Sequence, residues 1–312
     1  MAALGRLFSC RIVRRLHRRL FSIEVFAMKL VTFAAPDGGP RPGVLEEDGV
    51  IDLTTLRPDL PRSVRGLLEA GALLKLAEAL ESSAVERLSN VKLLAPVPDP
   101  KKVFGIGLNY RDHAVESGMA IPDEPIVFVK ASSAIAGPDE TIRLPSLSTE
   151  VDYEAELVVV IGQRAAAVPE SQAMRYVAGY TIGNDVSARD WQLRKPGGQW
   201  TLGKSFSTFA PIGPALVTRD EIPDPHVLPI GLRLNGREMQ RSSTSQLIFR
   251  IDQLIAYLSR ICPLEPGDLI FTGTPPGVGF ARKPPVFLHP GDVCEITIDG
   301  LGTLRNPCAK GD

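Results

Sequence analysis

Asp152, Glu154 and Glu156 alternate along a segment that runs directly into Leu157-Val-Val-Val-Ile161. Successive side chains of a strand point to opposite faces, so these three carboxylates share one face. The run after them is apolar on both faces, the pattern of a strand buried on both sides. Carboxylates set in a row and taken out of water repel one another and lose hydration. They are tolerated there when protonated, paired with cations, or bound to a metal. Oxygen-only ligands select a hard cation: Mg2+, with Mn2+ or Ca2+ as alternatives. A solvated edge strand with Arg or Lys partners fits the same residues as well.

The chain of 312 residues is long enough for one or two domains with a sizeable core. A formal net charge of −1 gives no polyanion-binding signal, so no nucleic-acid partner is expected. No window approaches the roughly 18–20 uninterrupted apolar residues that insertion into a bilayer needs. The 28 Gly and 27 Pro are spread along the chain and predict many turns and short strands, not a helical bundle.

Arg6, Arg11, Arg14, Arg15, Arg18 and Arg19 all precede the first acidic residue, Glu24, and interleave with apolar residues. This is the composition of a mitochondrial transit peptide, expected over residues 1–25. A solvated basic arm is the alternative. The cysteines fit a reducing interior. Cys10 lies in the leader, and Cys262, Cys294 and Cys308 are widely spaced without a CxxC, so neither a disulfide framework nor a zinc site is expected.

The chain divides near residue 100, at the Pro-rich connector Leu94-Ala-Pro-Val-Pro-Asp-Pro100. A small N-terminal domain is expected over 28–97, with strands at 29–34 and 50–53 and one helix at 63–80. A larger domain is expected over 100–308. Its strands are predicted at 103–107, 126–129, 157–161, 230–234, 269–272 and 293–298. Helices are predicted at 171–177, with Ser171 as cap, and at 250–259.

Four further constellations carry chemical potential. In Gly105-Ile-Gly-Leu-Asn-Tyr-Arg-Asp-His113-Ala-Val-Glu116, His113 and Glu116 stand at i and i+3 on one helical face. A carboxylate beside an imidazole orients it and raises its basicity, as a general base requires. An ordinary surface ion pair is the alternative. His226 and His289 sit in turn sequences. In Asn184-Asp-Val-Ser-Ala-Arg-Asp-Trp-Gln192, Asp185 ends a predicted strand and is placed to complete a metal site. Arg189 and Gln192 can address a substrate carboxylate or carbonyl. The same stretch also reads as a capped helix start with a local Asp–Arg pair. Lys204, in Gly203-Lys-Ser-Phe206, can offset the carboxylates or bind an anion; it also fits a snorkelling surface lysine. Thr272-Gly-Thr-Pro-Pro-Gly-Val-Gly279 is a turn whose amides and hydroxyls can hold an anion, or simply a Pro-Gly turn, and it is not a Walker sequence.

Glu154-x-Glu156-Leu, Asn184-Asp-Val-Ser-Ala-Arg-Asp190, Gly203-Lys-Ser-Phe206 and the 272–279 turn, in this order, resemble the fumarylacetoacetate hydrolase family over roughly residues 100–305. Val-Phe-Val-Lys130-Ala-Ser-Ser, Ala188-Arg-Asp-Trp191 and the small domain resemble its domain-containing protein 2 branch, which is mitochondrial in animals. The resemblance implies an α+β fold, a mixed β-sandwich roll with a small N-terminal α/β domain, and a homodimer. It implies Mg2+ held by Glu154, Glu156 and Asp185. His113, Glu116 and Lys204 match catalytic positions of the acylpyruvase members, Gln192 their substrate-facing glutamine, and Thr274 lies in the turn that closes the pocket. The sequence departs from those members at Trp191-Gln-Leu-Arg-Lys-Pro-Gly-Gly.

The branch is associated with oxaloacetate keto–enol tautomerisation, so the expected activity is that of a mitochondrial matrix tautomerase passing through a metal-bound enolate. Its substrate would be a small 2-oxo dicarboxylic acid. An acylpyruvate hydrolase or oxaloacetate decarboxylase would use the same intermediate. A non-catalytic metal- or metabolite-binding protein would need neither His113–Glu116 nor Lys204. The acid-free arginine region predicts a mature N-terminus between residues 22 and 28. N-terminal sequencing of protein recovered from cells checks this, and an intact Met1 would overturn it.

Overall fold

The structure, a computed structural model, describes residues 27–311 apart from 36–37 and 83–84. The arginine-rich leader, residues 1–25, lies outside the described residues. The first three strands, β1 (Lys29–Ala34), β2 (Pro40–Glu46) and β3 (Gly49–Asp52), form an antiparallel meander. The helix expected at 63–80 is two helices, α1 (Val64–Glu69) and α2 (Leu73–Ser82). Ser63 caps α1 by accepting from the Gly66 amide at 3.1 Å. Gly71 between them takes a left-handed φ of 59°, which stops α1 and redirects the chain.

Strand β4 (Val103–Gly107) leads to α3 (Arg111–Ser117), and β5 (Ile126–Lys130), β6 (Ala155–Ile161), β7 (Val177–Asn184) and β8 (Ala210–Thr218) follow. Next come β9 (Pro229–Leu234), β10 (Arg237–Ser243), α4 (Ile251–Ile261), β11 (Leu269–Phe271), β12 (Val293–Ile298) and β13 (Gly302–Lys310). The segment predicted as a helix at 171–177 is one helical turn, Glu170–Ala173, followed by a 3-10 turn. It is entered from Pro169 and not capped by Ser171. His226 lies in a turn, as expected, and its Nε2 accepts from the Ile251 amide at 3.2 Å, satisfying an N–H that α4 leaves unpaired.

The large mixed sheet runs β3-β2-β1-β8-β7-β6-β11-β4-β5. The meander is joined to it through β1 and β8. A second sheet runs β10-β9-β12-β13, with a short strand at Ile142–Leu144 parallel to β13. Strand β9 lies against β6, and β12 against β7, so the two sheets face each other across the core. No helix among the described residues is long and apolar enough to cross a membrane.

β6 is central, with β7 on one side and β11 on the other. All seven of its residues are buried, so the solvated-edge alternative for this segment does not hold. Its apolar run packs on both faces and fixes the register that carries the acidic residues. The pairing Ala155↔Asn184 places Glu154 beside Asp185, and the Asp185 amide donates to the Glu154 carbonyl at 2.9 Å. Gly183 permits this close approach. A Cβ there would lie 2.5 Å from both the Phe271 ring and the Val158 side chain. Gly183→Ala is expected to destabilise the protein by about 1–3 kcal/mol, since neither neighbour can yield in a close-packed core. Chemical denaturation of the two proteins measures it, and an unchanged midpoint would refute the packing argument.

Candidate active site

Glu154 lies just before β6, Glu156 on it, and Asp185 just beyond the end of β7. One carboxylate oxygen from each falls within 4.8 Å of the others. The residues are 7, 1 and 0 % exposed. Asn184 ties the two segments together, because its side-chain oxygen accepts from the Glu154 amide at 3.0 Å. An all-oxygen, buried, converging donor set is what a hard divalent cation requires, so the residues present fit Mg2+ or Mn2+.

Three cations answer these carboxylates. Lys204 follows the short helix Trp200–Gly203 and is 1 % exposed, which rules out a snorkelling role. Its Nζ donates to Asp185 Oδ2 at 2.6 Å, Glu154 Oε2 at 2.9 Å and Ser187 Oγ at 2.8 Å. Lys130, the last residue of β5, donates to Asp185 Oδ1 and to the Val186 carbonyl. Arg189 reaches Asp152 Oδ2 at 2.8 Å and Glu154 Oε1 at 2.7 Å through Nη2, and Gln192 Oε1 at 2.9 Å through Nη1. The guanidinium is therefore committed to protein partners as a counter-ion. Asp152 is fully buried, pairs with Arg189, and accepts from the Gly279 and Phe280 amides at 2.8 and 3.0 Å.

These environments push the proton affinities apart. Burial and the neighbouring Asp185 and Glu154 charges drive the Glu156 carboxyl well above the usual range. Burial also acts to raise Glu154, but Lys204 and Arg189 outweigh it and hold that carboxyl at about 2. Burial lowers Lys130 to about 8 against the pull of Asp185. Burial opposes the charge on Lys204 too, yet Asp185 and Glu154 keep its pKa raised. Glu156, the carboxyl driven upward, has no salt-bridge partner among the described residues, whereas Glu154, held down, has two.

The 272–279 turn closes one side of the cluster with main-chain and hydroxyl contacts. The Gly273 amide donates to Glu156 Oε2 at 2.7 Å. Thr274 Oγ1 donates to the Ala155 carbonyl at 3.0 Å and accepts from Gln240 Nε2 at 2.9 Å. Helix α3 docks on the same turn. His113 Nδ1 is 3.3 Å from Glu116 Oε2, and the Gly277 amide donates to both Glu116 oxygens at 3.1 and 3.0 Å. Asn109 anchors the start of this helix by donating to the Thr272 carbonyl at 2.8 Å and accepting from the Phe249 amide at 2.7 Å.

The structure therefore brings Glu154, Glu156, Asp185, Lys204, Arg189 and Gln192 into one cluster. His113 and Glu116 form their pair beside it, on the turn that holds Glu156. Among the described residues neither one hydrogen-bonds to the acidic triad. Sequence reasoning assigned no role to Lys130. Alternation along β5 was the available signal: Phe128 and Lys130 are buried while Val129 is exposed. Asp152 departs from the triad and serves Arg189.

A family model described as fumarylacetoacetate (FAA) hydrolase, C-terminal, matches residues 102–309. The chain is 49% identical over 296 residues to the mitochondrial oxaloacetate tautomerase fahd2 of Xenopus laevis, with 93% of each chain covered. It also resembles the crystal structure of a putative HpcE protein from Mycobacterium smegmatis, at TM-score 0.83 and 42% identity. That match covers 91% of this chain and 100% of the other. The maleylpyruvate hydrolase of Sphingobium, solved with manganese(II) and pyruvate, matches at TM-score 0.75 and 31% identity, with 91% and 100% covered.

Glu154→Gln keeps the shape of the side chain but removes a negative oxygen from the triad. Calorimetric titration with Mg2+ and Mn2+ is expected to show a large loss of affinity, while the circular dichroism spectrum stays that of the wild type. Equal affinity in the two proteins would mean that the ligands are wrongly assigned.

Proposed function

The chain belongs to the fumarylacetoacetate hydrolase family, and from that premise we propose that it is a Mg2+-dependent oxaloacetate tautomerase converting the enol form to the keto form. The observation that carries this reading is the buried Glu154–Glu156–Asp185 cluster, flanked by lysines, with an imidazole–carboxylate pair docked on the turn that holds it. Mg2+, or Mn2+ or Ca2+ in its place, when bound supplies a Lewis acid that polarises the oxygen of a 2-oxo acid.

Ketonisation removes a proton from the enol oxygen and delivers one to the adjacent carbon. His113 moves a proton at the carbon, and Glu116 orients the ring and stabilises its protonated form. Lys204 steadies the oxygen on which negative charge develops. Arg189 holds Gln192 by its Oε1, which directs the amide nitrogen of Gln192 to the substrate. Thr274 keeps the turn in place over the pocket. The charges suit an anionic substrate. Asp152, Glu154, Glu156 and Asp185 face Lys130, Lys204 and Arg189, so a divalent ion bound among the ionised carboxylates leaves a surplus of positive charge.

The relatives named mitochondrial and the arginine-rich leader together support a matrix location. A homodimer is part of this reading. The manganese- and pyruvate-bound hydrolase relative supports a second reading, in which the same site cleaves a carbon–carbon bond of an acylpyruvate. Purified protein with Mg2+ and enol-oxaloacetate separates these possibilities when ketonisation, CO2 release and acylpyruvate cleavage are followed independently.

His113→Ala is expected to lower kcat for ketonisation by about 10² or more, with a much smaller change in KM. Glu116→Gln should cost less, since it removes the orienting charge and leaves the base. The double variant should lose less than the product of the two single losses, because both residues serve one proton transfer. Undiminished activity of His113→Ala would overturn this assignment.

A further inference from the structure

Gly277 is held from both sides. Its N–H donates to the two carboxylate oxygens of Glu116. Its carbonyl accepts from Arg282 Nε at 3.3 Å and from the Tyr153 hydroxyl at 3.3 Å. Arg282 also donates through Nη2 to the Met239 carbonyl on β10. The same carbonyl would lie 2.1 Å from a Cβ on Gly277, whose φ is 99°. The turn is therefore pressed against β10 at the point where the guanidinium bridges the two carbonyls. Among the described residues Arg282 has no carboxylate partner, although it is half-buried. A guanidinium kept from water and given only neutral partners is costly, and its planar fork suits two fixed acceptors.

Tyr153 stands between Asp152 and Glu154, is fully buried, and donates its hydroxyl to the Gly277 carbonyl. Arg282 shares the Gly277 carbonyl with that hydroxyl, while the Gly277 amide holds Glu116. Among the described residues neither side chain hydrogen-bonds to Glu154, Glu156, Asp185, Lys204 or His113.

We propose that Arg282, with Tyr153, is a positioning residue for the His113–Glu116 pair: it clamps the Gly277 carbonyl from behind so that the Gly277 amide holds the Glu116 carboxylate, and with it α3, in the orientation that aims His113. This rests on the proton-transfer reading given above. Helix α3 is fastened at both ends. Asn109 and the Asp112–Ser242 contact secure its start, and the Gly277 latch secures its end. Loosening the rear clamp frees only the second.

The test uses the mature full-length protein with Mg2+. Arg282→Met, Arg282→Lys and Tyr153→Phe are made in the wild type and in the Glu116→Gln background. Arg282→Met is expected to lower kcat for ketonisation by about tenfold to a hundredfold, as a misaimed catalytic group does. Mg2+ affinity by calorimetry should stay within about twofold, and the amides of residues 111–117 should exchange hydrogen faster. In the Glu116→Gln background the same substitution should cost less than about twofold, because the latch no longer holds a charge. Arg282→Lys should restore part of the loss, since it reaches one carbonyl and not both. Equal losses in the two backgrounds, or unchanged exchange in α3, would overturn the proposal. If Arg282→Met does not fold, Tyr153→Phe removes a single hydroxyl and is judged by the same criteria with a smaller loss. If His113→Ala and Glu116→Gln keep full activity, the proton-transfer reading fails instead. The latch then stands on faster exchange in α3 of Arg282→Met, and falls without it.

Discussion

Four carboxylates and three cations are buried together, and the surrounding architecture is arranged to make that possible. Asp152, Glu154, Glu156 and Asp185 are each less than a tenth exposed, as are Lys130, Lys204 and Arg189. An unpaired charge so placed costs several kcal/mol, so none can stand alone. Neutrality within the cluster falls to partners drawn from distant parts of the chain. Lys130 comes from β5, Lys204 from the turn after Trp200–Gly203, and Arg189 from the segment beyond β7. Each must be in place for the others to be tolerated. The two-sided apolar packing of β6 supplies the rigid frame that resists the repulsion.

The strands on which the cluster rests were legible in the sequence for a simple reason. A period of two decides which face a residue takes, and the apolar run after Glu156 leaves no exposed face for the strand. Asp185 was legible because a strand pattern ends just before it. Lys130 was not, since a lysine at the end of a strand ordinarily reaches water, and only the tertiary fold shows that Asp185 lies ahead of it. Arg189 reads in the sequence as a group for a substrate carboxylate or carbonyl, and its engagement with Asp152 and Glu154 depends on a turn that no local pattern specifies. The helix at 63–80 looked continuous because its leucines keep helical spacing across Gly71. The left-handed conformation of that glycine belongs to a helix-end turn, in which the Gly71 amide donates to the Leu68 carbonyl and the Ala72 amide to the Leu67 carbonyl, a signal the leucine spacing does not carry.

The 272–279 turn connects elements that the sequence treats separately. It contacts Glu156 through Gly273, β6 through Thr274, Glu116 through Gly277 and Asp152 through Gly279. The stationary charges and the helix carrying His113 are thus referenced to one short length of backbone. Gln240 on β10 fixes this turn from the second sheet, donating to Thr274 Oγ1 and the Pro275 carbonyl while accepting from the Ala155 amide. The two sheets meet at the site through a side-chain amide whose donor and acceptor are both used.

Three of these four contacts with the acidic residues, β6 and α3 are made by main-chain N–H groups, and this sets how the segment responds to change. Replacing a side chain cannot delete an amide, so no substitution at Gly273, Gly277 or Gly279 except proline removes a contact by chemistry alone. What a new side chain brings is volume: a Cβ at Gly279 would lie 1.8 Å from the Val286 carbonyl, and one at Gly273 would lie 2.7 Å from Asn109 Cβ. In a saturation scan these glycines would therefore report space, with alanine already intolerable and polarity of little consequence. The neighbouring acidic residues would report charge, with size secondary. Two adjoining pieces of one site would show opposite mutational grammars, and that contrast is a fingerprint readable from variant data without any structure.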